Sequence, residues 1–252
     1  MLCIRCGNSK TIKAHLLPHV FCKEVKVGTS FATMVNDYGN FSLTQSGVFD
    51  KNILCKECDG KLGKNEKYAA ETFHLIRQKS VGNYYGPALI ANLDKEKILR
   101  FAAGILWKYS ITQKEYGRID LFGFEEDVKK IAYEEIEIPT WFDALLFRLK
   151  VHPNDDGVFA YRAPLPDRVG RVRIYRFMVG GILFFVKVHN ENMVNDQTHQ
   201  YWLSQEDQIQ YIVAPANMFE EYKILKDIAF NTESLSSFLD KQDFIFRNKG
   251  NS

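Results

Sequence analysis

The sequence has no long apolar run, and this argues against a membrane protein. Its two longest apolar stretches, residues 101–107 and 182–186, are much shorter than the roughly 20 residues that span a bilayer. Residues 1–10 contain two cysteines and no apolar segment of the kind that a secretory signal requires. We therefore expect a cytoplasmic protein with no membrane partner.

Three common catalytic signatures are also missing. The sequence contains no G-x-x-x-x-G-K-[ST] phosphate loop, no G-x-G-x-x-G turn and no G-x-S-x-G nucleophile turn. P-loop nucleotide hydrolysis and serine esterase chemistry are therefore unsupported, and a site of another kind has to be sought.

Cysteine is scarce, and its spacing is informative. Four of the five cysteines form two C-x-x-C pairs that are separated by 48 residues. Five cysteines, four of them in such pairs, do not resemble the disulfide framework of a secreted protein. In a reducing cytosol, C-x-x-C pairs are more often metal ligands. The pattern predicts one structural Zn²⁺ bound by Cys3, Cys6, Cys55 and Cys58. Four thiolates close the coordination sphere, so this ion would not be the catalytic metal. The alternative is a redox dithiol, but it needs only one C-x-x-C pair and so does not account for the second.

Charge is unevenly distributed between the two ends of the chain. The net charge is only +2, but residues 1–80 hold 12 Lys+Arg against 7 Asp+Glu. We call residues 1–80 the head and residues 88–252 the body, and we predict that they are separate domains. A basic head is suited to contact with a polyanion, although ordinary surface variation would explain the charge equally well.

The hydrophobic pattern predicts an α+β protein. In the head, a turn carrying the first cysteine pair and a helix start carrying the second are typical of a zinc treble clef. In the body, helices and antiparallel strands occur in separate runs, which disfavours a doubly wound sheet. We predict a loop over residues 28–47 and a linker over 82–87. The predicted helices cover residues 93–111, 124–133 and 219–228, and the predicted strands cover 141–151, 157–162, 171–179, 182–188 and 208–213. Gly180 and Gly181 predict a hairpin turn between two of these strands. In the head, residues 11–21 are predicted as a short strand or hairpin arm that ends near Pro18.

The head resembles the HNH (ββα-metal) endonuclease superfamily. The resemblance is carried by C-I-R-C at residues 3–6, A-H-L-L-P at 14–18 and N-I-L-C-K-E-C-D at 52–59. In that family a C-x-x-C turn precedes a histidine-containing strand end that stops at a proline. An Asn-apolar-apolar-Cys-x-x-Cys segment then leads into a helix. The resemblance covers about the first quarter of the chain and implies metal-dependent phosphodiester cleavage.

The resemblance also assigns roles to individual residues. His15 matches the general base that takes a proton from the water attacking the phosphodiester. Asn52 matches the asparagine that orients this histidine or holds the loop, and Asp59 matches the metal ligand at the helix start. The metal, Mg²⁺ or Mn²⁺, would stabilise the charge that develops on the phosphate. Lys61 and Lys64 are candidate phosphate contacts.

The sequence departs from the familiar pattern immediately before the histidine. Ala14 stands where many members have an acid or histidine that binds the metal, and Asp59 alone would hold a divalent ion weakly. His19 can replace the missing ligand if the chain turns back there, and Asp50 is a second candidate. Two other interpretations stay open. In the first, His15 has no catalytic role and packs or hydrogen-bonds within the zinc finger. In the second, His19 binds no metal and is a solvated surface residue.

The predicted function is metal-dependent cleavage of nucleic acid, with DNA favoured, in bacterial defence against phage. The body would supply substrate selection, homo-oligomer formation, contact with a defence-system partner, or control. The alternative is a non-catalytic zinc finger that binds nucleic acid or protein, and Ala14 favours it. The presence of His15, Asn52 and Asp59 together favours the enzyme. A third interpretation makes the body a sensor of a small ligand.

Overall fold

The structure is a computed structural model that describes residues 1–25, 31–34, 41–44, 47–191, 199–231 and 237. The helices are α1 (His19–Glu24), α2 (Lys56–Lys79), α3 (Lys95–Ile111), α4 (Glu125–Ala132) and α5 (Glu220–Asn231). The strands are β1 (Ala14–His15), β2 (Phe31–Met34), β3 (Phe41–Thr44), β4 (Phe49–Asp50), β5 (Gly86–Ile90), β6 (Phe142–Lys150), β7 (Arg162–Val169), β8 (Val172–Val179), β9 (Ile182–Val188) and β10 (Ile209–Pro215). The predicted α+β class is confirmed. No helix among the described residues is long and apolar enough to cross a bilayer.

A six-stranded sheet forms the centre of the body. Its strand order is β5-β10-β6-β9-β8-β7. Every neighbouring pair is antiparallel except β10 with β6, which is parallel. The β8–β9 hairpin turns at Gly180 and Gly181, whose φ angles of +58° and +73° require a residue without a side chain. The sequence predicted this hairpin correctly from the same two glycines.

One hydrophobic core joins the head to the body. Phe21 of α1 and Phe73 of α2 stack with their ring centroids 5.7 Å apart. Phe73 also contacts Phe184 of β9 at 5.5 Å, and Phe101 of α3 lies 5.7 Å from Phe21. All four rings are at most 2% exposed. Burial of each ring contributes about 2–3 kcal/mol, so the head is fixed to the sheet by a substantial apolar contact. The division into two domains stays a prediction.

Four local predictions are wrong. The segment after Pro18 is helical, because α1 turns both Phe21 and Cys22 into the core. The last two residues of the predicted linker begin β5, which tolerates Pro87 because it lies at the sheet edge. The predicted loop over residues 28–47 contains the paired strands β2 and β3, and its remainder lies largely outside the described residues. The strand predicted at 157–162 begins instead at Arg162.

Candidate metal centre and adjoining histidine site

The first cysteine pair lies on a tight turn that its own backbone closes. The N–H of Cys3 donates to the Asn8 carbonyl over 2.7 Å, and the N–H of Gly7 donates back to the Cys3 carbonyl over 2.8 Å. Gly7 has a φ of +74°, a left-handed conformation that favours glycine. This turn brings the sulfurs of Cys3 and Cys6 to the same side of the chain.

The second pair lies where α2 begins. The helix starts at Lys56, directly after Cys55, and the Asp59 N–H donates to the Cys55 carbonyl over 3.0 Å. Backbone hydrogen bonds tie the two pairs together: Ile4 N–H to the Ile53 carbonyl at 2.9 Å, and Ile12 N–H to the Leu54 carbonyl at 2.8 Å. The first turn is therefore held against the residues that lead into the helix.

The four cysteine sulfurs converge on one point. All lie within 4.8 Å of one another, and the sulfurs of Cys6 and Cys55 are 3.7 Å apart. Tetrahedral zinc with Zn–S bonds of about 2.3 Å needs sulfurs separated by about 3.8 Å, so the cluster fits. Cys3, Cys55 and Cys58 are buried and Cys6 is exposed. The predicted cluster is confirmed as a group that can hold a metal ion such as zinc.

The thiols respond differently to their surroundings. Burial raises the pKa of Cys3, but hydrogen bonds from the backbone of Cys55, Cys6 and Arg5 lower it to about 7. Burial and the adjoining sulfurs of Cys6 and Cys55 raise the pKa of Cys58 to about 12. Four thiolates this close repel one another, which a divalent cation at their centre would relieve.

Arg5 links the cysteine cluster to the body. Its guanidinium lies 3.9 Å from the Cys58 sulfur, pairs with the Glu135 carboxylate at 2.6 Å and covers the Tyr133 ring at 4.1 Å. The Tyr133 hydroxyl in turn donates to the Cys58 carbonyl over 3.2 Å. Sequence reasoning missed this contact set, because Arg5 and Glu135 are 130 positions apart and nothing local links them.

His15 lies on the strand pair beside the cysteine cluster. In the β1–β4 register, Ala14 is opposite Asp50 and His15 is opposite Phe49. The half-buried His15 ring lies with its centroid 5.2 Å from that of His19. The chain does therefore bring His19 back to His15, as the replacement hypothesis required. Ala14 is completely buried.

A buried lysine of the body supports this histidine. Lys108 of α3 is 1% exposed, and its ammonium donates to the His15 carbonyl over 2.7 Å and to the Glu66 carboxylate over 2.8 Å. Glu66 lies on α2, so a single cation joins β1, α2 and α3. Sequence reasoning missed Lys108 as well, since a lone lysine in a buried helix gives no signal of its partners.

The other predicted site residues lie near the start of α2. Asp59 is half-buried, and its carboxyl pKa is raised by burial, lowered by the nearby charge of Lys108 and raised by that of Glu66. Asn52 is half-buried and donates its backbone N–H to Asp50 over 2.8 Å. Asp50 is completely buried and also accepts a hydrogen bond from the Thr112 hydroxyl at 2.8 Å. It therefore links the turn at residues 50–52 to the C-terminal end of α3.

The two predicted phosphate contacts lie on the surface of α2. Lys61 and Lys64 are both exposed, and Lys61 pairs with Glu57 one turn earlier at 3.1 Å. A surface ion pair of this kind contributes little to stability, so Lys61 remains available to a polyanion.

Only the cysteines form a ready group of metal ligands. Within the part of the chain that the structure describes, they are the one set of three or more His, Cys, Asp or Glu whose ligand atoms converge. His15, His19 and Asp59 do not meet that condition together. Comparisons with known proteins find no match among protein-family models, curated proteins or solved structures.

Proposed function

We propose that the head is a zinc-stabilised HNH-type nuclease module that cleaves the phosphodiester bonds of DNA. The observation that carries the proposal is the arrangement of β1, β4 and α2 around the cysteine cluster, with His15 half-buried on β1. A binding finger needs the cysteines and the helix. It has no need of a histidine whose backbone is held by a buried cation.

His15 would act as the general base. Its imidazole would accept the proton of the attacking water, and Lys108, through the His15 carbonyl, would keep the strand in position for that step. Asn52 would hold the turn that precedes α2. A base held in position in this way reacts faster than free imidazole, because the entropy cost of bringing it to the substrate has already been met in the folded protein.

A divalent ion, Mg²⁺ or Mn²⁺, would be held by Asp59 with His19 as the substitute for the ligand missing at Ala14. Such an ion would neutralise charge on the phosphate and the leaving oxygen. The proximity of the His15 and His19 rings supports His19 as a member of this site. The exposed Lys61 and Lys64 would contact the phosphate backbone and contribute affinity without sequence preference. Bacterial defence against phage is the proposed setting, in the cytoplasm.

The test is cleavage by matched histidine variants. His15→Ala should retain zinc and DNA binding but lower cleavage of duplex DNA by a factor of about 10² to 10⁴ in Mg²⁺ or Mn²⁺. His74→Ala is the control, because His74 is exposed on α2 outside this arrangement. Wild-type protein that cuts neither DNA nor RNA, or equal activity in the two variants, would refute the proposal.

A non-catalytic zinc finger is the second candidate function. Ala14 is completely buried, so its position offers no ligand, and the cysteines are the one converging group among the described residues. On this alternative the head binds nucleic acid or a protein through α2. DNA binding that persists in wild-type protein without any cleavage would favour it.

A further inference from the structure

A cleft in the body lies apart from the histidine site. It has a volume of about 380 Å³, within the range of small-molecule sites. Its apolar wall includes Leu99 of α3, Ile138, Phe142 of β6 and Trp202. Four charged residues also line it: Lys95 and Glu96 at its more exposed edge, and the buried Asp143 and Lys187. The cleft therefore combines an apolar surface with a small number of charged groups.

The two buried charged residues are cross-strand neighbours that do not satisfy each other. Asp143 of β6 is opposite Lys187 of β9, and each is 6% exposed. The Asp143 carboxylate accepts from the Ser204 hydroxyl at 2.5 Å, the Ser204 N–H at 3.2 Å and the Ala144 N–H at 2.8 Å. The protein thus holds Asp143 with neutral donors.

Lys187 has the weaker set of partners. Its ammonium donates to the Thr140 carbonyl over 3.3 Å, and among the described residues no carboxylate forms an ion pair with it. An ammonium has three N–H donors, and burial of a cation without a matching acceptor is unfavourable. Burial lowers the pKa of Lys187, and Asp143 only partly opposes this effect. The missing acceptor is a group that a ligand in the cleft can supply.

We infer that this cleft binds a small organic monocarboxylate, with its carboxylate on Lys187 and its apolar body against Leu99, Phe142 and Trp202. Lys95 donates to the Glu206 carbonyl and lies beside Glu96. A single negative charge therefore matches the single buried ammonium of the cleft, that of Lys187. A doubly charged phosphate ester would bring excess negative charge beside the buried Asp143, so a monoanion is favoured. The inference is independent of the proposed nuclease activity, since it involves none of the residues of the head.

The test compares a charged probe with its neutral isostere. We expect indole-3-acetate to bind the full-length chain at least tenfold more tightly than indole-3-acetamide, measured by titration calorimetry. Lys187→Met should abolish that preference, whereas Lys67→Met, on the exposed face of α2, should leave it unchanged.

A second variant covers the case in which Lys187→Met fails to fold. Ile138→Trp adds bulk at a half-buried position on the cleft wall and should block both probes. No binding of either probe to wild-type protein at 10 mM would overturn the inference. Equal binding of the two probes would overturn it too, as would unchanged binding of indole-3-acetate by Ile138→Trp.

Discussion

Replacing Lys108 by methionine removes the buried cation beside His15 without opening a cavity, since the two side chains are similar in length. The ammonium makes two short hydrogen bonds, to the His15 carbonyl and to Glu66. Breaking a buried pair by removing one partner typically costs about 3–5 kcal/mol. Two features of this pair make the expected cost smaller. The Glu66 side chain is 21% exposed and can regain water, and the desolvation of the ammonium is no longer required.

We therefore expect Lys108→Met to lower the free energy of unfolding by about 2 kcal/mol. For a chain of this length the melting temperature should fall by about 4–8 °C. Urea denaturation followed by circular dichroism measures the first quantity. Lys67→Met is the matched control, because Lys67 is 80% exposed and its partner Glu71 lies 3.8 Å away. It should change stability by less than about 0.5 kcal/mol.

A double-mutant cycle assigns the effect to the pair. Glu66→Gln combined with Lys108→Met should show a coupling energy of about 1–2 kcal/mol, because the two residues are in direct contact. If Lys108→Met is as stable as Lys67→Met, or if the coupling is zero, the claim that Lys108 fastens β1 to α2 is wrong.

Two further predictions concern the head. Cys58→Ser should lose the metal and the cooperative fold of the head, whereas Cys22→Ala, outside the cluster, should keep about one zinc per chain by metal analysis. Zinc retained by Cys58→Ser would contradict the site. Lys61→Ala with Lys64→Ala should reduce the slope of log affinity for DNA against log salt by about 2. Lys129→Ala with Lys130→Ala on α4 is the control, and equal slopes in the two double variants would move the interface elsewhere.

Local patterns in the sequence were sufficient to predict several elements of the fold. The cysteine cluster follows from its spacing, and α3 begins within two residues of the predicted helix start. The β8–β9 hairpin follows from its two glycines. In each case the forces that determine the element act between residues close together in the chain.

The remainder depends on residues that are far apart in the chain. The parallel pairing of β10 with β6 is set by the packing of the whole sheet. The edge strand β7 was predicted too early in the chain, and Pro164 and Pro166 argue against a strand at its true position unless its place at the sheet edge is known. The same holds at the site, where Lys108 and His15 are 93 positions apart. The family resemblance suggested His15 as a base, which stays a prediction, and no local pattern indicated that Lys108 holds its backbone.

The most direct test of the proposed nuclease is anomalous diffraction from crystals of the chain grown with Mn²⁺ and a short DNA duplex. Data collected at the zinc and manganese edges distinguish the two ions. We predict zinc among the four cysteines and a separate manganese peak between Asp59 and the His15–His19 pair. The contrary result is zinc at the cysteines and no manganese at the histidines, in crystals where DNA is bound to the head. That result would contradict the nuclease function and support the non-catalytic zinc finger instead.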